Sequence, residues 1–282
     1  MDRRWRVRQP DPLAVRRICR ELGIHPAVAA ALINRRVEDP AAVGRFLSPS
    51  AAELPNPFAM KDMDRAVERI LMAVSRREKI LVFGDYDADG VTATAVLLEF
   101  LRDMNADCDY YIPHRVSEGY GFSVSQAAMF PSYGVVVTVD CGISSHEAVA
   151  AAKRMGLDVV VTDHHTPEGS LPEACAVVNP KRPDCTSGYI NLAGVGVAFF
   201  LCMAIRAEAR KRGMFANSPE PNLKKLLDLV AIGTIADMVK LTGENRILAA
   251  TGLSVLRQGR RPGLFALMEA AGISPEEADS QA

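Results

Sequence analysis

Short runs of β-branched and apolar residues, separated by helical segments, constrain the fold of this chain more than any other feature. The clearest runs lie at 80–84, 135–139 and 158–162. A strand that is buried on both faces of a sheet shows an uninterrupted hydrophobic run, which is typical of parallel sheets. The intervening segments are long enough for the crossover helices that parallel strands need. The sequence therefore predicts an α/β fold with a doubly wound, mainly parallel sheet.

The predicted elements divide the chain into three parts. Residues 1–78 are expected to form a helical amino-terminal segment packed on the core, residues 79–260 the α/β domain, and residues 261–282 a terminal helix and tail that would begin a linker to further domains. The part of the α/β domain after Asn179-Pro180 is expected to be helical. The predicted strands are 80–84, 108–112, 135–139, 158–162 and 175–178, and the predicted helices are 12–22, 25–34, 40–46, 63–75, 91–104, 123–130, 144–155, 192–211, 223–236, 245–258 and 263–271.

Composition allows a large core but hides an uneven distribution of charge. The chain has 282 residues, 49% of them hydrophobic, and a net charge of −1. Arginines are concentrated near the amino terminus, and we expect this end either to contact phosphate groups or to form a solvated arm. The sequence alone leaves both interpretations open. The arginines concerned are Arg3, Arg4, Arg6, Arg8, Arg16, Arg17 and Arg20.

Cysteine spacing and hydropathy predict a cytoplasmic protein without a membrane partner. The six cysteines include no C-x-x-C pair, which argues against a structural zinc site and favours a reducing compartment. Cys141, at the end of a predicted strand, is interpreted as a small packed residue rather than a nucleophile. The amino terminus lacks the apolar segment of a signal peptide, and the longest nearly apolar run, 192–205, is too short to span a bilayer.

Acidic residues and histidines follow the predicted strands at the point where each strand ends. Asp85, Asp87 and Asp89 alternate after the first run, Asp140 follows the third strand, and Asp163-His164-His165 follows the fourth. The three alternating aspartates converge if the extended backbone continues beyond the apolar run. Carboxyl ends of parallel strands border one crevice, where crowded carboxylates repel unless a cation binds them. Oxygen ligands suit Mg²⁺ or Mn²⁺, so the sequence predicts a metal centre at this edge.

Four motifs in this order resemble the DHH phosphoesterase superfamily, and within it the RecJ single-strand exonucleases. The superfamily is named for the triplet Asp163-His164-His165, and the segment Asp85-Tyr86-Asp87-Ala88-Asp89-Gly90 looks like the RecJ form of the first motif. The second motif ends the run 135–139, and the fourth lies in 228–239. The resemblance covers roughly residues 55–260, and four ordered motifs are far more specific than one.

The resemblance implies a ligand set for two ions of Mn²⁺ or Mg²⁺. Asp87 and Asp89 match the paired ligands of the first motif, Asp140 the bridging carboxylate of the second, His164 the histidine of the third, and Asp237 the acid of the fourth. The setting of Asp237 agrees, because an acid at the carboxyl end of an apolar helix needs a nearby cation. Two ions would hold a water between them, lower its pKa and stabilise an in-line displacement at phosphorus.

Four further residues are candidates for work on the substrate. Asp85 is expected either to bind a metal directly or to hold a metal-bound water. His165 faces a different direction from its neighbouring histidine, and we expect it to donate to a phosphate oxygen in the transition state. The loop 113–121 follows the second strand into the same crevice. Within it, Arg115 is expected to pair with a substrate phosphate and Tyr120 to stack on a base.

The resemblance implies a 5′-to-3′ single-stranded DNA exonuclease core that releases 5′-mononucleotides in DNA repair and recombination. The expected partners are single-stranded DNA and, among proteins, a single-strand-binding protein or other repair proteins. Two alternatives stay open: a small-substrate DHH phosphoesterase acting on short oligonucleotides, nucleotide phosphates or pyrophosphate, and an inactive DHH scaffold of replication or repair. RecJ proteins are longer and carry a second domain and a nucleic-acid-binding barrel, so this chain is interpreted as the metal core without its clamp.

Overall fold

The computed structural model describes residues 6–280, so Arg3 and Arg4 of the arginine-rich end lie outside the described residues. Strands and helices alternate through the middle of the chain, as the sequence predicts. The strands are β1 (Ile80–Phe83), β2 (Cys108–Tyr111), β3 (Val135–Val139), β4 (Asp158–Thr162) and β5 (Ala176–Val178). The α-helices are α1 (Pro12–Leu22), α2 (Pro26–Asn34), α3 (Pro40–Leu47), α4 (Met63–Arg76), α5 (Ala88–Asp103), α6 (Val124–Ala127), α7 (His146–Arg154), α8 (Gly194–Lys211), α9 (Leu227–Ala236), α10 (Gly243–Leu256) and α11 (Pro262–Ala271).

The five strands form one parallel sheet in the order β2-β1-β3-β4-β5. The chain runs outward from β1 to β2 and then returns to β3 on the other side of β1. This reversal creates a switch point between β1 and β3, where a doubly wound sheet opens a crevice at its carboxyl edge. Phe83 at the end of β1 is in register with Thr138 of β3. The predicted doubly wound parallel sheet is confirmed, and the switch point fixes where a site is to be sought.

Alternate residues of the strands enter separate cores on the two faces of the sheet. Ile80 and Val82 of β1 join a large cluster that includes residues of α4, α5 and α8. Leu81 and Phe83 join a smaller cluster with residues of α7. All four side chains are buried, which explains why the strand shows a continuous hydrophobic run rather than alternation. The two covered faces leave the strand ends as the accessible part of the sheet.

The described residues fall into two compact units. Those up to Glu53 form a small helical unit, and those from Leu54 onward form the larger one. The division lies at Glu53 rather than at the predicted residue 78, because α4 places Ala66 and Ile70 in the core of the larger unit. The small unit consists of α1, α2 and α3 with a core of its own. That core contains Ile18, Ala29, Leu32, Ile33 and Val43.

Helix α5 begins at Ala88 rather than at residue 91, and this shift changes the geometry of the first motif. Strand β1 ends at Phe83, so the condition under which the three aspartates would converge, an extended backbone beyond the apolar run, is not met. Asp87 is the N-cap of α5, and its Oδ1 accepts the N–H of Gly90 at 2.9 Å. A carboxylate at this position satisfies a free amide and suits the positive end of the helix dipole. Asp89 therefore lies in the first turn of the helix.

Two further helices differ from the predicted bounds where local hydrogen bonding competes with the helix. Strands β3 and β4 match the predictions 135–139 and 158–162. The predicted helix 123–130 is reduced to α6, whose start is set by a capping box between Ser123 and Gln126. The predicted helix 223–236 divides into a 3₁₀ turn, Leu223–Leu226, followed by α9.

The nearly apolar run near residue 200 belongs to α8, which is buried between other helices of the larger unit. Phe199, Phe200 and Leu201 all lie in the main core. Across residues 6–280, none of the helices combines the length and apolar composition that crossing a membrane requires.

Candidate metal centre

The predicted metal-binding residues meet at the switch point between β1 and β3. Asp85 follows β1 in a loop that a glycine allows to turn close to α5: a Cβ on Gly84 would lie 1.9 Å from Oγ1 of Thr94. Asp140 directly follows β3. Because the two strands are neighbours, their carboxyl ends bring these acids to one crevice.

Asp89 is held by the amino terminus of a distant helix. Its carboxylate is 1% exposed and accepts the N–H groups of Gly194 at 2.6 Å and Val195 at 2.8 Å. These amides are free because they belong to the first turn of α8, and its dipole favours the negative charge. A Cβ on Gly194 would lie 2.4 Å from Oδ1 of Asp140. This glycine therefore lets the start of α8 approach two candidate ligand carboxylates.

Asp140 adopts a left-handed backbone conformation at the end of β3, with φ of 60°. Such a conformation is uncommon for a residue with a side chain, although aspartate tolerates it better than most. Gly142 follows with φ of 105°, and a Cβ there would lie 2.6 Å from Oγ1 of Thr138. The tight turn buries the Asp140 carboxylate, which is 1% exposed. The backbone thus points this carboxylate into the site instead of away from it.

His164 is oriented so that its Nε2 is available as a ligand. Its Nδ1 lies 3.1 Å from the carbonyl oxygen of Leu192, and a carbonyl can only accept, so Nδ1 carries the proton. Nε2 lies 3.2 Å from Oδ1 of Asp140 and 3.8 Å from Oδ2 of Asp89. Asp237 is the C-cap of α9. Its Oδ2 lies 3.7 Å from Nδ1 of His164.

The candidate ligand atoms form groups that suit two ions. Within each group the atoms lie within 4.8 Å of one another. The first group contains Asp85, Asp87 and Asp140, the second Asp89, His164 and Asp237, and the third Asp140, His164 and His165. The first two groups share no residue, and the third links them through Asp140 and His164. Asp85 therefore lies among the ligand atoms, and the aspartates expected to converge on one point are divided between two groups.

The hydrogen bonding of the carboxylates fits the presence of divalent cations. Asp85 Oδ1, Asp140 Oδ1 and Asp237 Oδ2 are buried and lack a hydrogen-bond partner among the described residues. A buried, unpaired carboxylate oxygen is costly, and a bound cation supplies the missing interaction. Carboxylate oxygens with one imidazole nitrogen form a donor set that Mn²⁺ and Mg²⁺ accept.

Without cations, this crowding disfavours the ionised carboxylates. Burial, together with the charge of Asp140, raises the pKa of Asp89 to about 8. Burial, together with the charge of Asp163, raises the pKa of Asp140 to about 9. Burial also raises the pKa of Asp85 and of Asp237. Protons and metal ions therefore compete for the same oxygens.

We expect Mn²⁺ to raise the melting temperature more at pH 8 than at pH 6, for a reason that follows from these pKa values. A carboxyl whose pKa is raised in the folded state stabilises the fold below its ordinary pKa of about 4, and that stability is lost as the pH rises through the folded pKa. The metal-free protein is thus weakened at pH 8, where Mn²⁺ replaces the missing protons. Thermal melts with and without Mn²⁺ at both pH values measure the difference. In the Asp140→Asn variant, the Mn²⁺-induced rise in melting temperature should differ less between pH 8 and pH 6. Equal rises at both pH values in the unsubstituted protein would contradict the account.

Asp163 organises the histidine pair, a role that the sequence reasoning did not assign. Its carboxylate is fully buried and accepts the backbone N–H groups of Ile143, His164 and His165. Oδ1 also lies 2.8 Å from Nδ1 of His165. Although burial opposes it, the hydrogen bond from His165 lowers the pKa of Asp163. The same hydrogen bond raises the pKa of His165 to about 9. The position of Asp163 at the head of the triplet was the available signal.

The loop after β2 brings Arg115 and Tyr120 to the centre. The guanidinium of Arg115 lies over the ring of Tyr86, 5.1 Å from its centroid, and Tyr86 stands between Asp85 and Asp87. The hydroxyl of Tyr120 lies 3.3 Å from the Asp140 carbonyl oxygen. Its ring, which is half exposed, also meets the ring of His165 edge to face.

Hydrogen bonds of Glu118 and His114 fold this loop. Glu118 accepts from the hydroxyl of Tyr111 at 2.5 Å and from the N–H of His114 at 2.8 Å. The ring of His114 contacts Ser117, with Nδ1 2.9 Å from the serine hydroxyl. His114 thus has a hydrogen-bonding role within the loop.

A cavity of about 550 Å³ adjoins the centre on the side of β3 and β4. His165 and Asp163 line one end of it, and Tyr120 borders the opening. Ser144 and Ser145, at the start of α7, line the far end. A nucleotide-sized group fits this space beside the candidate ligands.

Three other polar residues of interest have structural roles. Arg182 is buried and donates to Asp62 at 2.7 Å and to Asp184 at 2.6 Å. Asp228 lies in the first turn of α9 and pairs with Arg261 at 2.9 Å. Burial raises the pKa of the Cys141 thiol well above its ordinary value, as expected for a packed residue.

Comparisons with known proteins agree with the geometry of the centre. The model of the DHH family, N-terminal domain, matches residues 79–234. The single-stranded-DNA-specific exonuclease RecJ of Bacillus subtilis (strain 168) is 42% identical over 280 residues, which are 99% of this chain and 34% of that protein. The crystal structure of RecJ in complex with Mn²⁺ from Thermus thermophilus is similar with a TM-score of 0.78 at 33% identity, covering 96% of this chain and 38% of that one.

The corresponding structure of Thermus thermophilus RecJ in complex with Mg²⁺ has a TM-score of 0.67 at 31% identity, covering 96% of this chain and 34% of that one. The chain therefore spans between 34% and 38% of the length of these relatives.

Proposed function

This chain belongs to the DHH family, and from that membership we propose that its metal centre is the core of a single-strand-specific DNA exonuclease. In this proposal it hydrolyses phosphodiester bonds from the 5′ end, releases 5′-mononucleotides and uses two ions of Mn²⁺ or Mg²⁺. The observation that carries the proposal is the pair of three-residue ligand groups at the switch point, which a third group links through Asp140 and His164. The names of the RecJ relatives and the Mn²⁺ and Mg²⁺ of the solved RecJ structures support the substrate and the metals.

The residues of the chain divide the chemical work. When bound, the ions supply an activated water and neutralise charge that develops on the phosphate oxygens. Asp140 lies with Asp85 and Asp87 in one ligand group and close to His164 of the other, and Asp89 fixes the start of α8 against the centre. The hydrogen bond with Asp163 keeps the ring of His165 protonated at neutral pH. A protonated ring has donors at both nitrogens, so Nε2 is free to donate to a phosphate oxygen.

Arg115 and Tyr120 support a role for the neighbouring loop in holding the strand. The guanidinium of Arg115 lies over the ring of Tyr86. Within the described residues, no carboxylate forms an ion pair with Arg115. A planar guanidinium without a carboxylate partner suits a phosphate group. Tyr120 exposes half of its ring, and we propose that it stacks on a base of the substrate.

A small-substrate phosphoesterase is the second candidate, and the adjoining cavity is the observation that favours it. About 550 Å³ holds one nucleotide without requiring a longer strand. An inactive scaffold is disfavoured, since unpaired buried oxygens on Asp85, Asp140 and Asp237 destabilise a fold that binds no cation. The dependence of the rate on substrate length separates the two enzymatic candidates.

The partners of the chain follow from the proposed substrate. Single-stranded DNA is the proposed nucleic-acid partner, and a single-strand-binding protein or other repair proteins remain predicted protein partners. Work on DNA in repair and recombination corresponds to a cytoplasmic location, which also remains a prediction.

The test of this function is a nuclease assay with Mn²⁺ or Mg²⁺ on a 5′-phosphorylated single strand, the matching duplex and a dinucleotide. We expect the single strand to be cut fastest and 5′-mononucleotides to appear from the first time point. Hydrolysis of the dinucleotide or of pyrophosphate well above the rate on the single strand would move the protein to the small-substrate class.

Replacing Arg115 by alanine is expected to raise the KM for a single strand about tenfold while kcat changes little, because the phosphate contact is made in the ground state as well. The salt dependence of binding should also become shallower by about 0.7 in the logarithmic slope, as for one lost phosphate contact on a single strand. Initial rates at several salt concentrations measure both effects. Arg154→Ala, at the carboxyl end of α7, removes the same charge elsewhere and should leave both values unchanged. A fall in kcat at constant KM would instead assign Arg115 to the transition state.

A further inference from the structure

The small helical unit carries a disproportionate share of the arginines of the chain. Residues 1–53 contain ten of the 25 arginines and no lysine. Eight of the ten lie within the described residues, and all eight are exposed. They are Arg6, Arg8, Arg16, Arg17, Arg20, Arg35, Arg36 and Arg45.

The arginines of the two units differ in their partners. At least eight of the fifteen arginines of the larger unit form ion pairs with carboxylates. None of the eight described arginines of the small unit forms an ion pair with another residue in 6–280. Unpaired guanidinium groups on one small surface repel each other and create a positive potential that attracts polyanions.

Four of these arginines lie around the connection between α2 and α3. The carbonyl oxygen of Arg8 accepts from the side chain of Asn34, which places the segment near the end of α2. The guanidinium of Arg17 donates to the carbonyl oxygen of Glu38 in the connection itself. Arg35 and Arg36 begin that connection directly after α2. We call Arg8, Arg17, Arg35 and Arg36 the connection patch.

The carboxylates of the small unit do not neutralise this patch. Asp39 uses its carboxylate to cap α3, where Oδ2 accepts the N–H of Ala42 at 2.9 Å. Asp11 similarly caps α1 through the N–H of Leu13 at 3.0 Å. Capping leaves the negative charge of Asp39 in place, and Glu38 is the other acid of the connection, so four cations face two carboxylates. The patch keeps a clear positive excess.

We propose that the connection patch binds the phosphate backbone of the DNA strand, as a second contact besides the metal centre. The inference rests on the proposed function only in taking the same polyanion as its ligand. Among residues 6–53, Phe46 is the single Phe, Tyr or Trp residue, and it packs against the core of the unit, so the described residues offer no aromatic platform for bases. Contact is therefore electrostatic, independent of sequence and steeply dependent on salt. Arginine suits this task because its fork pairs with two phosphate oxygens.

The test measures binding without hydrolysis. The whole chain, loaded with Mn²⁺, is titrated into a fluorescent phosphorothioate oligothymidylate at several salt concentrations, and the anisotropy gives Kd. For the variant with Arg8→Gln, Arg35→Gln and Arg36→Gln, we expect the logarithmic salt slope to fall by about 2 and Kd to rise about tenfold or more near 0.1 M salt. The matching Arg→Lys variant keeps the charges and should retain most of the slope.

A control variant removes the same number of charges from the larger unit. Arg77, Arg102 and Arg154 are exposed and lie at the carboxyl ends of α4, α5 and α7. Their replacement by glutamine should change the slope by less than about 0.5, because charges outside the contact release few counterions. If the triple patch variant has a lowered melting temperature, Arg35→Gln alone replaces it in the test. This single substitution should lower the logarithmic salt slope by about 0.7.

Two results would overturn the proposal. One is an equal change of slope in the patch variant and the control variant, or no change in either. The other is that the patch arginines are needed for binding to phosphatidylserine vesicles but not for binding to DNA. That result would assign the surface to a membrane. The proposed hydrolysis is tested separately, because a loss of cleavage on ordinary DNA leaves the phosphorothioate binding difference intact.

Discussion

Replacing Asp140 by alanine is expected to reduce phosphodiester hydrolysis about a thousandfold or more, because Asp140 belongs to the first ligand group and, through the third, links it to His164 of the second. Its loss also leaves His164 without the acid 3.2 Å from Nε2. Residues that act as one unit are not additive, so the pair Asp140→Ala and Asp237→Ala should lose little more than either substitution alone. Steady-state rates on a 5′-phosphorylated single strand measure the three variants.

The matched control for these variants is Asp107→Ala, which removes an exposed aspartate next to β2. Its rate should stay within about a factor of two of the unsubstituted protein, as for most surface substitutions. Multiplicative losses in the double variant would show that Asp140 and Asp237 act at separate sites, and the shared centre would then be rejected.

His165→Ala is expected to lower turnover about a hundredfold to a thousandfold while metal binding is retained. The reason is that His165 belongs to the third ligand group only, whereas its hydrogen bond with Asp163 prepares it as a donor to the substrate. The rise in melting temperature with Mn²⁺ should therefore match that of the unsubstituted protein, although kcat falls. Single-turnover rates and thermal melts of the same preparation give the two readouts.

Asp163→Asn keeps His165 but removes the carboxylate charge that holds its ring. The amide carries no negative charge, and its NH2 group cannot accept the N–H of Ile143 as Oδ2 does, although its oxygen can still accept from the His165 ring. We therefore expect kcat to fall less than in His165→Ala, and the high-pH limb of the rate to shift to lower pH. A loss of the Mn²⁺ effect in His165→Ala would contradict the assignment, since it would make His165 a metal ligand.

Much of the fold could be predicted from local patterns in the sequence. The runs 135–139 and 158–162 are strands because β-branched residues fill both faces of a covered sheet. The crevice at the strand ends followed from parallel topology, and it lies where the acids of the first and second motifs meet. These inferences need only periodicity and the alternation of elements.

The inner geometry of the centre could not be predicted, because it depends on contacts between residues far apart in the sequence. Asp89 is fixed by amides about one hundred residues later, at the start of α8. The tautomer of His164 is set by the carbonyl of Leu192, in a loop that carries no motif. The assumption of extended backbone after β1 also failed, because the N-cap preference of Asp87 starts α5 early.

The central claim, a centre for two ions built around Asp140, is tested most directly by anomalous diffraction from crystals soaked in Mn²⁺. We expect two peaks per chain, about 4 Å apart and both adjacent to the Asp140 carboxylate, with Asp87 on one side and His164 on the other. Crystals of Asp140→Ala should lose at least one of them. No peak at the switch point, or a single peak that persists without the Asp140 carboxylate, would contradict the account.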